Sequence, residues 1–168
     1  SFFIPSYQRG YRWTEKQVEE LLEDIWAFAI NPPKQEEDKM RPFYCLQPIV
    51  VKQKNGKANE WEVIDGQQRL TTLFLLHWYA AKKENIPERE HRFLNNFSYK
   101  TRYSARDFCS LLINFKPTFT QKLSDEIEDQ AWFPLNWKKD PTISSMLVML
   151  DAIKEKFANT EGIWEKLR

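Results

Sequence analysis

The chain has 168 residues, of which 42% are hydrophobic and 15% aromatic, enough for one core of ordinary size. Lysine and arginine number 25 against 24 acidic residues, and the net charge of +1 excludes the strongly basic balance of a general nucleic-acid coat. No apolar run approaches the roughly 18 residues of a membrane helix, and the sequence opens without a secretory signal pattern. We therefore expect a cytoplasmic domain with no membrane partner, reduced Cys45 and Cys109, and more protein beyond Arg168.

The first 13 residues combine five aromatic side chains with Arg9 and Arg12 and contain no acid. Pro5 and Gly10 disfavour a helix, so this segment is predicted to be an extended arm. Arginines among aromatic rings suit a nucleotide, because guanidinium groups bind phosphate and rings stack on bases. In the alternative interpretation, the rings pack on the core and the arginines pair with acids of the next helix.

A first helix is predicted to follow this arm. Thr14 is a good N-cap with Gln17 three residues later, and Asn31-Pro32-Pro33 ends the helix. Its acidic residues predict an exposed face. Its apolar residues recur at helical spacing and predict a packing face: Val18, Leu21, Leu22, Ile25 and Phe28.

A β-hairpin and a second helix come next. Residues 43–53 and 60–65 are predicted to be strands joined by a turn at Asn55-Gly56. Pro48 indicates that part of the first strand is an edge or a bulge. Gly66 ends the second strand, and a helix begins at once and runs to about Lys83. Its packing face is predicted to comprise Leu70, Leu73, Phe74, His77 and Trp78, with His77 as a histidine at the edge of the core.

The second half of the chain is predicted to be helical, with no strand after residue 84. Helices are expected near 104–115, 122–132, 143–158 and 161–167. The predicted fold class is α+β: a small mixed core with a β-hairpin and a following helix over 1–90, plus an appended helical unit over 91–168.

The junction between strand and helix carries the main chemical signal. The first amide groups of a helix lack internal partners and form an anion site, and Gly66 lets a ligand approach the backbone. Arg69 is unfavourable in a first helical turn unless a negative group lies there. That group is either a bound phosphate or Asp65, four residues earlier.

The neighbouring polar residues have two interpretations each. Gln67 and Gln68 are neutral donors for a phosphate or a base, or merely exposed first-turn residues. Thr71 and Thr72 offer hydroxyl groups to a phosphate or metal, or simply cover the helix surface. The segment is neither a Walker A loop nor a dinucleotide fingerprint, because both require more glycines.

Four segments together resemble a known family, the N-terminal domain of GmrSD-type restriction endonucleases. The resemblance rests on Phe2-x-Ile4-Pro5-x-Tyr7-Gln8-Arg9-x-Tyr11-x-Trp13 and on Asp65-Gly66-Gln67-Gln68-Arg69-Leu70-Thr71-Thr72-Leu73. Two later segments, Tyr99–Phe108 and Trp137–Ile143, are also similar to the family. One departure is Leu46-Gln47-Pro48, where the family usually has a glycine before its hydrophobic strand; the change would crowd the cleft.

The resemblance implies a ParB/sulfiredoxin-like core whose Asp-Gly-Gln-Gln-Arg motif binds and hydrolyses a nucleoside triphosphate in a bacterial anti-phage restriction protein. On this reading Gly66, Arg69 and Thr71 contact phosphates, and Tyr7, Gln8 and Arg9 contribute from the arm. The catalytic set would be Asp65 with Mg²⁺ or the attacking water, Gln67 or Gln68 orienting that water, and Arg69 neutralising developing charge.

Two other functions stay open at this point. The first is a metal-dependent DNA nuclease built on Glu60, Glu62 and Asp65, although Asp65 lies on the opposite face of the strand from the two glutamates. The second is a non-enzymatic module that contacts DNA or a protein, through Lys100, Arg102 and Arg106 in an aromatic, basic stretch. The family's own nuclease often occupies a separate C-terminal module, and nothing in this sequence resembles that module.

Overall fold

The computed structural model describes residues 3–4, 15–30, 51–53, 61–63, 67–99 and 102–167. Within these ranges most residues are helical, and the strands are two or three residues long. The strands are Phe3–Ile4 (β1), Val51–Gln53 (β2), Trp61–Val63 (β3) and Ser98–Tyr99 (β4). The α-helices are Glu15–Ile30 (α1), Gln67–Lys83 (α2), Glu88–His91 (α3), Tyr103–Asn114 (α4), Leu123–Glu128 (α5), Pro141–Phe157 (α6) and Ile163–Leu167 (α7), with 3-10 helices at Arg92–Asn96 and Leu135–Lys139.

Helix α1 agrees with its prediction in both bounds and orientation. It begins directly after Thr14 and ends directly before Asn31. Val18, Leu21 and Leu22 are buried, while the described acids of the opposite face are exposed. The helix packs against α6 and α7, so its apolar stripe covers one side of the core.

Helix α2 is the central helix of the described core. It packs against both α6 and α7, and its indole Trp78 Nε1 donates to the Leu112 carbonyl of α4 at 2.7 Å. Leu75 and Leu76, outside the predicted packing face, are completely buried. The prediction of one packing face was therefore too narrow, because neighbours surround this part of the helix and bury its residues on all sides.

The strands form two short pairs. β2 and β3 are antiparallel, with Val51 opposite Val63, and residues 54–60 between them lie outside the described part. β1 pairs in parallel with β4, placing Ile4 opposite Tyr99. The expectation of no strand after residue 84 was thus wrong: β4 is too short for a visible alternation, and its partner lies far away in sequence. The predicted ParB/sulfiredoxin-like core is not confirmed by these short strands.

The later helices occur where the sequence predicts them, with shifted ends. Helix α5 stops at Glu128 rather than near 132, because the chain then turns, with the Phe133 amide donating to the Gln130 carbonyl. Helix α6 begins earlier than predicted, at Pro141. The predicted boundary at residue 90 stays a prediction, although α2 shares one hydrophobic cluster with α4 to α7.

Aromatic side chains fill much of the space between the later helices. Trp137 and Trp164 are buried, and Trp132 packs against Phe108 and Phe115. Cys109 is a free, buried thiol, and Cys45 lies outside the described residues. No helix in the described ranges combines the length and apolar character needed to cross a membrane.

Candidate functional site

The beginning of α2 lies where the sequence predicts it, directly after the glycine of the junction. Its first helical residue is Gln67, directly after Gly66, and its first turn carries no acidic side chain. A helix beginning of this kind has amide groups without internal partners and a positive dipole end, which favour an anion. Asp65, Gly66 and the side chains of Gln67, Gln68 and Arg69 lie outside the described part, so their roles stay predictions.

One turn further along, α2 enters the protein interior. Thr71 and Thr72 have no exposed surface, so the interpretation that they cover the helix surface was wrong. The Thr71 hydroxyl oxygen lies 2.9 Å from the phenol oxygen of Tyr99 in a buried hydrogen bond. The hydroxyl of Thr71 is thus engaged inside the protein, and its predicted contact with a phosphate stays a prediction.

Tyr99 links this helix to the N-terminal arm. Its phenol contacts Thr71, and its backbone belongs to β4, where it is the register partner of Ile4. Burial raises the pKa of Tyr99 well above its ordinary value, so the phenol stays protonated and able to hydrogen-bond. The arm strand and the second turn of α2 are thereby both held to Tyr99, one through its backbone and the other through its side chain.

Strand β1 also contacts a second strand beside the junction. It contacts β3, which ends two residues before Asp65. Ile4, the end of β3 and the second turn of α2 are therefore linked to one another through β1 and Tyr99. The predicted arm residues Tyr7, Gln8 and Arg9 lie outside the described part, so their contacts stay predictions.

From the sequence, Tyr99 belongs only to the aromatic, basic stretch that is predicted to contact DNA or a protein. It lies 28 residues from Thr71 and 95 residues after Ile4, and no local pattern connects such distant positions. The one available signal was its place in the third segment that resembles the family. That segment had been interpreted through its basic residues instead.

Those basic residues are only partly accessible for binding DNA. Arg106 is exposed, and its guanidinium lies 4.8 Å from the ring centre of Tyr103. Its guanidinium also donates to the Asp107 carboxylate at 3.3 Å. Asp107 directly follows the aromatic, basic stretch, so an acid pairs with one of its arginines. Arg102 is half-buried, and Lys100 lies outside the described residues.

The fourth segment, Trp137–Ile143, has a structural explanation. The Asp140 carboxylate accepts hydrogen bonds from the Thr142 and Ile143 amides at 2.9 and 3.1 Å, and Pro141 is the first residue of α6. This is the N-cap and first-turn proline arrangement that begins a helix. The similarity in this segment therefore reflects how α6 starts.

His77 agrees with its prediction as a residue at the edge of the core. It is half-buried, its Nδ1 lies 2.7 Å from the Leu73 carbonyl oxygen, and its ring meets Trp164 edge-on. Burial lowers its pKa, which favours the neutral ring. These contacts are those of a packed, satisfied side chain.

The carboxylates proposed for metal binding are not brought together within the described structure. The described residues contain no group of three His, Cys, Asp or Glu side chains able to hold a metal. Glu62 lies in β3 opposite Lys52, while Glu60 and Asp65 fall outside the described ranges. A magnesium ion on Asp65 and a nuclease centre on these acids both stay predictions.

The chain belongs to the family of GmrSD restriction endonuclease N-terminal domains, whose model matches residues 1–165. This confirms the resemblance seen in the sequence. The chain is also 32% identical over 95 residues to an uncharacterized protein of Methanocaldococcus jannaschii. That match covers 50% of this chain and 15% of the relative, so the chain spans a small part of that protein. No solved structure matches the chain.

Proposed function

We propose that this domain binds a nucleoside triphosphate between the N-terminal arm and the beginning of α2, and hydrolyses it with Mg²⁺. It would act in the cytoplasm as the regulatory domain of a bacterial anti-phage restriction protein. The observation that carries the proposal is the dual role of Tyr99, which pairs with Ile4 through its backbone and binds Thr71 through its phenol. Ile4 and Thr71, one from each of the two segments that most resemble the family, are therefore linked through Tyr99.

In this proposal the residues at the beginning of α2 hold the phosphates. The backbone amides after Gly66 and the Arg69 guanidinium bind the polyphosphate, and Arg9 approaches it from the arm. Asp65 holds the Mg²⁺ that neutralises phosphate charge, and Gln67 or Gln68 orients the attacking water. Thr71 holds the second turn of α2 in place through Tyr99.

A panel of nucleotides tests this function. Binding of ATP, GTP, CTP and UTP is measured by calorimetry with Mg²⁺, and phosphate release is followed with and without duplex DNA. We expect at least one triphosphate to bind and to be hydrolysed only with Mg²⁺. Binding without phosphate release would reduce the function to nucleotide sensing, and absence of binding for all four would contradict the proposal.

Contact with DNA is a second candidate function, favoured by the side chains at the beginning of α4. Tyr103 is 62% exposed and lies beneath the exposed Arg106 guanidinium, a pair suited to a phosphate and a stacked base. A salt-dependent gel shift of Arg106→Ala against the exposed Arg92→Ala tests it. Equal shifts for both variants would contradict a role for Arg106. Any cleavage of DNA would fall to a separate C-terminal nuclease module.

A further inference from the structure

A polar cavity lies at the other end of α2 from the proposed nucleotide site. It has a volume of about 390 Å³ and is enclosed by the carboxyl ends of α2 and α4, by α3 and by the first 3-10 helix. This volume is within the range of small-ligand sites, roughly 300–1,000 Å³. Lys82 and Lys116 line it with Glu88 as the one carboxylate, so its charged lining is net positive.

The two lysines are close enough to repel one another. Burial and the positive charge of Lys116 both lower the pKa of Lys82, while Glu88 partly offsets them. The Lys82 ammonium is held in place because it donates to the Ile113 carbonyl at 2.7 Å. An anion between Lys82 and Lys116 would relieve this repulsion.

The carbonyl groups at the end of α2, beside the cavity, are already paired. At the end of α2 the Ile86 amide donates to the Ala81 carbonyl at 2.9 Å and the Asn85 amide to the Lys82 carbonyl. This is a Schellman motif, with Asn85 in the left-handed conformation at φ 52°. The last carbonyls of α2 are thus satisfied by backbone amides, and Lys82 satisfies Ile113 of α4.

Neutral polar groups complete the lining. Asn85 and Asn95 line this cavity, and so does His91, which is only 6% exposed. Asn85 and Asn95 are themselves exposed, so a ligand can reach their side chains. Amide and imidazole groups are hydrogen-bond donors that match the several oxygens of a phosphate.

We propose that this cavity binds a small polar molecule carrying a phosphate group. Lys82 and Lys116 pair with the phosphate, and the amides of Asn85 and Asn95 with His91 bind the remaining oxygens. The site is distinct from the proposed nucleotide site, because 15 helical residues separate Lys82 from Gln67, or about 22 Å.

A nuclear magnetic resonance titration with inorganic phosphate and then pyrophosphate tests this site. We expect saturable shifts of the His91 ring and of the Asn85 and Asn95 side-chain amides. The exposed Lys116 is replaced in Lys116→Gln, which should weaken binding about tenfold, as for loss of one charge-assisted hydrogen bond. Lys139→Gln, an exposed lysine outside the cavity, is the matched control and should bind as the unaltered protein does.

Two control experiments show whether the shifts come from this cavity and whether the variant keeps its fold. Repeating the titration in Arg69→Ala separates this cavity from the beginning of α2, and the cavity shifts should persist there unchanged. A backbone amide spectrum confirms that Lys116→Gln keeps the fold. Shifts that spread over many lysines without saturating, or equal affinity of Lys116→Gln and Lys139→Gln, would overturn the proposal.

Discussion

Thr71 and Tyr99 form a buried hydrogen bond of 2.9 Å that joins the second turn of α2 to β4. Because Tyr99 is also the register partner of Ile4, this one contact fixes the helix relative to the arm strand. Both side chains are essentially inaccessible, at 0% and 1% exposure. A polar pair so deeply buried specifies geometry, since any shift of either element would break a hydrogen bond in a dry environment.

Removing the hydroxyl group of Tyr99 tests this contact. We expect Tyr99→Phe to lower the free energy of unfolding by about 1 kcal/mol, the net value of one intramolecular hydrogen bond. Urea unfolding of Tyr99→Phe, Thr71→Val and the double variant gives the coupling between them. If the two single effects simply add, the hydrogen bond does not contribute to stability.

Lys83 and Glu84 at the end of α2 are predicted to hold α6 and α7 in place. The Lys83 ammonium donates to the carbonyls of Phe157, the last residue of α6, and of Ala158 and Thr160 beyond it, at 2.5, 3.1 and 2.6 Å. The Glu84 carboxylate accepts from the Trp164 amide of α7 at 3.0 Å. We expect Lys83→Met to lower the free energy of unfolding by about 2 kcal/mol.

Thermal and urea unfolding of Lys83→Met are compared with those of Lys139→Met, which removes an exposed lysine without these contacts. Glu84→Ala should also destabilise the protein, whereas Glu84→Gln should not, because the amide oxygen still accepts from Trp164. Equal midpoints for Lys83→Met and Lys139→Met would show that the three carbonyl contacts are unimportant.

A buried carboxylate organises the loop before α5. Glu126, 5% exposed, accepts hydrogen bonds from the Thr118 amide and hydroxyl and from the Phe119 amide. Phe119 has a φ of 57°, a left-handed conformation unfavourable for a bulky residue. Glu126→Ala should cost about 2 kcal/mol, because it leaves partly buried donors without their partner.

Comparing Phe119→Gly with Glu126→Ala tests that explanation. Glycine adopts this φ without strain but loses the edge contact of Phe119 with Tyr79. We expect circular dichroism melting curves to place the Glu126→Ala variant well below the single Phe119→Gly variant. The reverse order would mean that packing of Phe119, rather than the carboxylate, holds the loop.

Alkaline pH is predicted to destabilise the fold through buried acids. Burial raises the pKa of Tyr79 from 10.0 to about 12, and it also raises the pKa of the Cys109 thiol. A raised folded-state pKa favours the protonated form, so stability is complete below the unfolded values and falls as pH rises above them. Tyr79 alone should cost about 1.4 kcal/mol by pH 11.

Guanidinium unfolding between pH 8 and pH 11 measures this loss. Tyr79→Phe should show a shallower decline above pH 10 than the unaltered protein, while both are nearly constant from pH 7 to pH 8. An identical decline in the two proteins would mean that Tyr79 ionises as freely in the folded state as in the unfolded chain.

Local patterns predicted the helices well. α1 lies between Thr14 and Asn31 because its cap and its proline stop are both adjacent in sequence, and α2 begins right after Gly66 for the same reason. Local patterns did not predict the tertiary contacts. The pairing of Ile4 with Tyr99 and the complete burial of Leu75 depend on elements far away in the chain.

The candidate site was predictable to a similar extent. The position of the first turn of α2 can be predicted from Gly66, which ends the preceding strand. The burial of Thr71 could not be predicted, because it depends on Tyr99 and no spacing rule connects the two residues. The cavity beside Lys82 could not be predicted from the sequence, because its lining comes from four separate elements. Such clusters arise only when helices pack.

The proposed nucleotide site between the arm and α2 is tested most directly by calorimetry, in which the triphosphate that binds the unaltered protein is titrated into Arg9→Ala, Arg69→Ala and Arg92→Ala. Loss of a guanidinium bound to phosphate should weaken binding at least tenfold in the first two variants, by about 1.5–3 kcal/mol each. The exposed Arg92 serves as the matched control, and its variant should bind as the unaltered protein does. Unchanged affinity in Arg9→Ala and Arg69→Ala would contradict the account.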